Sequence, residues 1–191
     1  QLIMFAFLIF EVINIGTSVL CSQYLGARMH KNMVQVVGVS LILNLVFGLF
    51  VSAILHYGAT SLLSMMGLRP ELMEYGVSYM KIVGVFAFFQ AISLTISASL
   101  RSANKAVYPM MVTVVVNILN IIGNYSLIFG KFGMPALGVE GAAISTAFAR
   151  GVSMVILFVI LFRKHIPRFP LSYFCPFPFV ELKNLLKIGV P

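Results

Sequence analysis

Three carboxamides, Asn117, Asn120 and Asn124, recur at spacings of three and four residues inside a run without charge, residues 106–130. Thr113 precedes them on the same register. At about 100° per residue the four side chains fall within roughly 60° of one another on a helix wheel. Carboxamide oxygens are hard, neutral donors suited to Na+, and they relay a proton only through neighbouring groups. The competing reading is a ladder of interhelical hydrogen bonds, each worth only about 0.6 kcal/mol in a bilayer. Glu11 is the one acid deep in apolar sequence. A charge at a bilayer centre costs about 2.5–3.5 kcal/mol, so such a residue is a candidate for holding a cationic ligand or a coupling ion. Arg150 also sits deep in apolar sequence. It would repel a cationic ligand, so a structural or gating ion pair, with Glu11 as one partner, is the favoured role. Gln90 shares a helical face with Ser93, Ser97 and Arg101 and joins the candidates.

Other chemistries lack their parts. The sequence contains no Asp, and His30, His56 and His165 are far apart and in or beside loops, so no metal cluster is expected. No nucleophile motif, phosphate loop or dinucleotide fingerprint occurs, so neither an enzyme nor a cofactor is expected. Cys21 and Cys175 are too few for a disulfide framework and read as free thiols. The net charge of +8 lies in alternate loops, a topology signal and not one for nucleic acid. The stretch Phe86-Ala87-Phe88-Phe89 and eleven Met have the chemistry of a promiscuous cavity lining, but packing against lipid or neighbouring helices is the favoured reading.

The elements that must position these residues are membrane helices. The chain is 60% hydrophobic and 9% charged, with mean hydropathy +1.03. Lipid cannot satisfy backbone groups, so apolar runs of about 20 residues must be helical. Five spans are expected, at about 2–23, 33–55, 72–100, 107–129 and 137–162, forming most of an all-α bundle (1–165). A short interfacial helix is expected near 59–66. A surface linker and the start of a further span should occupy 166–191. The first run lacks a basic flank and a small-residue cleavage site, which reads as a retained span. Both ends lie within or beside apolar runs, so the sequence reads as a fragment whose remaining spans are its nearest partner. Glu11, Asn14, Ser18 and Ser22 mark one face of the first span, and Asn44, Gly48 and Ser52 one face of the second. Polar stripes on four of five spans describe a bundle around a polar interior. No proline lies in mid-span, so any bend must come from Gly or Ser, such as Gly84 or Gly151. Gly26, Gly130, Gly138 and Gly141 suit loop turns and close helix approach.

Loop charge gives the orientation. Nine Lys and Arg fall on one side: Arg28 and Lys31, Arg101 and Lys105, and five within 163–187. Arg69 and Lys131 fall on the other. The richer side is expected in the cytoplasm of a plasma-membrane protein.

Several motifs in register carry a resemblance. Ser22-Gln23-Tyr24-Leu25-Gly26-Ala27-Arg28 follows the first span. Arg101-Ser102-Ala103-Asn104-Lys105 with Pro109 precedes the Asn117, Asn120, Asn124 ladder. Ile128-Phe129-Gly130 and Pro135, Gly138, Gly141-Ala142-Ala143 follow it. Together they resemble the multidrug and toxic compound extrusion (MATE) family, with this chain similar to spans two to six of twelve and the start of the seventh. The resemblance implies export of bulky, often cationic organic compounds. Inward Na+ or H+ would drive it, with two six-helix lobes rocking around a cavity. It also implies an ion site, in part of the family, made by a span-one Asp, two polar residues one turn apart on span five and a Thr on span six. The matching positions are Asn120, Asn124 and Thr146. Here Asn124 stands where the best-described branch has Asp, and the span-one acid is outside the sequence. The alternatives are a lipid-linked oligosaccharide flippase of related architecture, which would need a cationic cavity, and a non-transporting scaffold.

Overall fold

In a computed structural model the protein is described over residues 2–165, together with Lys183 and Leu185. Among the described residues seven α-helices follow one another: α1 (Leu2–Gly26), α2 (His30–Tyr57), α3 (Ala59–Met65), α4 (Pro70–Val85), α5 (Ala87–Ser102), α6 (Val107–Phe129) and α7 (Gly138–Ile160). A π-helical turn, Leu161–His165, continues α7. Among the described residues, α2, α6 and the segment Gly138–Arg163 are each long and apolar enough to cross a membrane. The α4–α5 pair forms a fourth such element if taken as one broken span. α1 is 25 residues long, about 37 Å at helical rise. The 166–191 linker and further span expected from the sequence, including Cys175 and Lys187, lie outside the described residues, Lys183 and Leu185 excepted.

The stretch 72–100, expected as one span with any bend at a Gly or Ser such as Gly84, is two helices bent by 47° across Phe86. Gly84 sits two residues before the break, and a Cβ there would press into Leu55 of α2 at 2.6 Å. The bend therefore occurs where α4 lies flush against α2, and it redirects α5 into the centre of the bundle. There α5 packs on α1, α2 and α7, while α6 pairs chiefly with α7.

Among the described residues the apolar core falls into three clusters. Phe10, Val51, Leu55, Met80 and Ala91 pack beside α3. Val34, Ile96, Leu100, Val112, Leu157 and Leu161 pack where α2, α5, α6 and α7 converge. Ile13, Leu20, Cys21, Val36 and Val37 enclose Leu185. The antiparallel hairpins gather Arg28, Lys31, Arg101, Lys105 and Arg163 at one end of the bundle, and Arg69 and Lys131 at the other.

Candidate functional site

The α6–α7 hairpin is built for contact. Gly130 ends α6 at φ +66°, a conformation costly for any residue with a Cβ, and its N–H bonds back to the Ser126 carbonyl. Lys131 N–H also donates to Ser126 O (3.0 Å), and Leu137 N–H donates to Leu127 O (2.8 Å), turning the chain tightly into α7. Along the two helices, Gly141 faces the Leu127 backbone and Gly123 faces the Ser145 side chain, each closer than a Cβ would allow. This small-residue seam brings polar side chains of the two helices within reach.

Asn124 Nδ2 donates to Asn120 Oδ1 (3.1 Å), and Asn120 Nδ2 donates to Thr146 Oγ1 (3.4 Å). Thr146 in turn donates to the Ala142 carbonyl at 2.8 Å. Ser145 Oγ donates to the Asn120 carbonyl at 3.2 Å, tying the helices beside the chain of amides. This relay leaves one acceptor over: Asn124 Oδ1 is buried and makes no hydrogen bond among the described residues. A buried carbonyl oxygen can accept from a proton donor or ligate a cation. The cluster holds no carboxylate, so what it offers a ligand is neutral oxygen. Asn117 and Thr113 continue the stripe but are exposed on α6, with Thr113 bonded to its own helix at Pro109 O. The structure thus unites Asn120, Asn124 and Thr146, and sets Asn117 apart from them.

A second polar cluster lies where α1, α2 and α5 meet. Asn14, Asn44 and Thr95 are 2%, 0% and 0% exposed. Asn44 Nδ2 donates to Thr95 Oγ1 (2.5 Å) and to Asn14 Oδ1 (3.3 Å), and Thr95 Oγ1 lies 3.2 Å from Asn14 Oδ1. One turn away, Thr17 Oγ1 and Ser40 Oγ pair at 2.7 Å. Thr95 lies off the face bearing Gln90, Ser93 and Ser97. The signal for it was Ala91, Thr95 and Ser99 at intervals of four, a small-residue stripe matching Asn44 and Gly48 of α2. On α1 the buried polar face is Asn14 and Thr17, whereas Glu11 and Ser22 are exposed and Ser18 is half-buried.

Glu11 and Arg150 belong to helices that share no substantial interface, since α1 packs on α2 and α5 while α7 packs on α4, α5 and α6. Arg150 is half-buried, within electrostatic reach of the Tyr79 phenol on α4. Gln90 is half-buried on α5. Among the described residues no three His, Cys, Asp or Glu side chains group as metal ligands, and Cys21 is a buried free thiol. An apolar pocket of about 540 Å³ lies between the α4–α5 elbow and α7, walled by Ile82, Phe86, Phe89, Phe148, Gly151 and Val155. Phe88 of the same aromatic stretch packs on Gly48 instead.

Comparison with known proteins follows the same lines. A model of the MatE family matches residues 1–126. The chain is 38% identical over 191 residues to the uncharacterized transporter YisQ of Bacillus subtilis, covering all of this chain and 42% of that protein. It is 30% identical over 179 residues to the probable multidrug resistance protein NorM of Thermotoga maritima, covering 93% of this chain and 38% of the relative. Among solved structures, the inward-facing conformation of a multidrug resistance MATE family transporter of the MOP superfamily superposes with a TM-score of 0.86 at 26% identity. That match covers 99% of this chain and 43% of the solved one. The chain therefore spans about two-fifths of the length of these relatives.

Proposed function

The chain belongs to the MatE family, and from that membership we propose that it supplies the first-lobe helices of a secondary-active exporter. In this reading inward Na+ or H+ drives bulky, often cationic organic compounds out of the cell, with the lobe exposing its site alternately to each side. Asn120, Asn124 and Thr146 contribute neutral oxygens to the coupling-cation site. The observation that carries this is Asn124 Oδ1, a buried acceptor left over by a hydrogen-bond relay that satisfies its neighbours. Asn117 and Thr113, exposed on the same stripe of a membrane helix, give that site a polar approach, since such side chains are costly against lipid. In the same reading Glu11 and Gln90 meet the organic cation, Arg150 braces α7 against α4, and support for a drug-sized ligand comes from the pocket volume of about 540 Å³. The end of the bundle bearing Arg28, Lys31, Arg101, Lys105 and Arg163 faces the cytoplasm, and the bilayer is the plasma membrane. Relatives named as probable multidrug resistance proteins support the substrate class.

The test is a binding screen on the purified native gene product. Ethidium-like cations should bind, and lipid pyrophosphates should not. Binding of the pyrophosphates alone would overturn the assignment in favour of a flippase. Efflux that is unchanged by both Asn120→Leu and Glu11→Gln would remove the polar roles of those two residues.

A further inference from the structure

The two polar clusters differ in what they leave over. At α6–α7 the surplus is one acceptor. At α1–α2–α5 it is one donor and one acceptor: Asn14 Nδ2 and Asn44 Oδ1 are both buried and bonded to nothing among the described residues. Their residues are 2% and 0% exposed. That balance does not depend on which way the carboxamides face. Turning over Asn44 alone would set two acceptor oxygens, its own and Asn14 Oδ1, 3.3 Å apart with no proton between them. Turning over Asn14 alone would set two NH2 groups at that distance. Turning over both restores the bonds with roles exchanged, and again one N–H and one C=O remain. A metal cation would satisfy the oxygen and be repelled by the amide protons. An anion would do the reverse. Water donates and accepts at once.

We propose that Asn14 and Asn44 hold a single ordered water at the centre of the α1–α2–α5 core, accepting from Asn14 and donating to Asn44. The water joins three helices without charge. It makes this core a neutral hydrated joint and keeps it from competing for the coupling cation. The inference stands on helices other than those of the proposed cation site and survives if that assignment fails. Thr95, which bonds both amides, fixes their mutual orientation. Nearby, Gly48 of α2 lies against the Phe88 backbone of α5, closing the layer on one side. The Thr17–Ser40 pair closes it on the other and is satisfied without help.

The experiment is a high-resolution structure of the native gene product in two salts, one sodium and one thallium, Tl+ being a monovalent cation visible by anomalous scattering. The expected result is one peak of water strength within hydrogen-bond distance of both orphaned amide atoms in both salts, with no anomalous signal. A peak that scatters anomalously, or that is present in only one salt, would make this a cation site and overturn the proposal, as would no peak in either. Unfolding of Asn14→Leu, Asn44→Leu and the double variant gives an independent reading. The double should unfold at a higher temperature than the lower of the two singles, because it strands no polar group. Fully additive losses would count against a shared water.

Discussion

Replacing Gly123 with Ala tests whether the α6–α7 seam positions the amide relay. The new Cβ would drive into Ser145 Oγ and lie 3.2 Å from Ser145 Cβ. Ser145 can swing away only by giving up its bond to the Asn120 carbonyl, and overpacking of this kind costs about 1–3 kcal/mol. Ala gains about 0.8–1.0 kcal/mol over Gly in helix propensity, so the net loss should be about 1 kcal/mol. Ser145→Ala alone removes one interhelical hydrogen bond, worth about 0.6 kcal/mol in a bilayer. In the Ser145→Ala background the obstructing hydroxyl is gone. Gly123→Ala should then be close to neutral, leaving a coupling of about 1 kcal/mol between the two sites. Reversible unfolding in mixed micelles of lipid and SDS measures all four proteins. The single variant should also lose cation-driven transport, because Asn120 and Thr146 already sit at 3.4 Å and any spreading of the helices parts them. A neutral Gly123→Ala, or strictly additive effects in the cycle, would refute the close approach on which the site geometry rests.

Two further outcomes follow from other parts of the structure. Arg28, just past the end of α1, has φ at +59°, so Arg28→Gly should raise stability by about 1 kcal/mol, checked by the same unfolding assay. In a Cys175→Ser background, where only the buried Cys21 remains, cysteines introduced at Lys131 and Arg101 should label from opposite faces of intact cells, Lys131→Cys from outside. Labelling of Arg101→Cys from outside would reverse the orientation.

Much of the helical plan was legible because bilayer thickness and backbone hydrogen bonding leave an apolar run few choices. The uncharged run around the Asn ladder is the clearest case, and α6 occupies Val107–Phe129. The break at Phe86 was not legible as such. No proline marks it. Residue type makes Gly84 and Gly151 equal candidates, and what separates them is the close approach of Leu55 to Gly84, a tertiary fact. Helix-wheel reading aligned Asn117 with Asn120 and Asn124 but could not say how much of that stripe α7 covers. The packing covers one end and leaves Asn117 exposed. The same limit hid the Asn14–Asn44–Thr95 cluster. Asn14 shares a helix-wheel face with Glu11 and Ser22 that the structure turns partly outward, and Thr95 lies off the polar stripe of its helix. Periodicity identifies which residues share a face. Which face is buried depends on partners far away in sequence.

The central claim is that the amides of α6 and the hydroxyl of Thr146 receive the cation that drives export. The direct measurement is drug transport by the native gene product in sealed vesicles under an imposed Na+ or H+ gradient, wild type against Asn124→Leu. That change removes the surplus oxygen and the N–H given to Asn120. The wild type should respond to one gradient, and the variant should bind drug with unchanged affinity while losing the gradient-driven rate at least tenfold. A variant that folds and follows the gradient as fast as wild type would contradict the account.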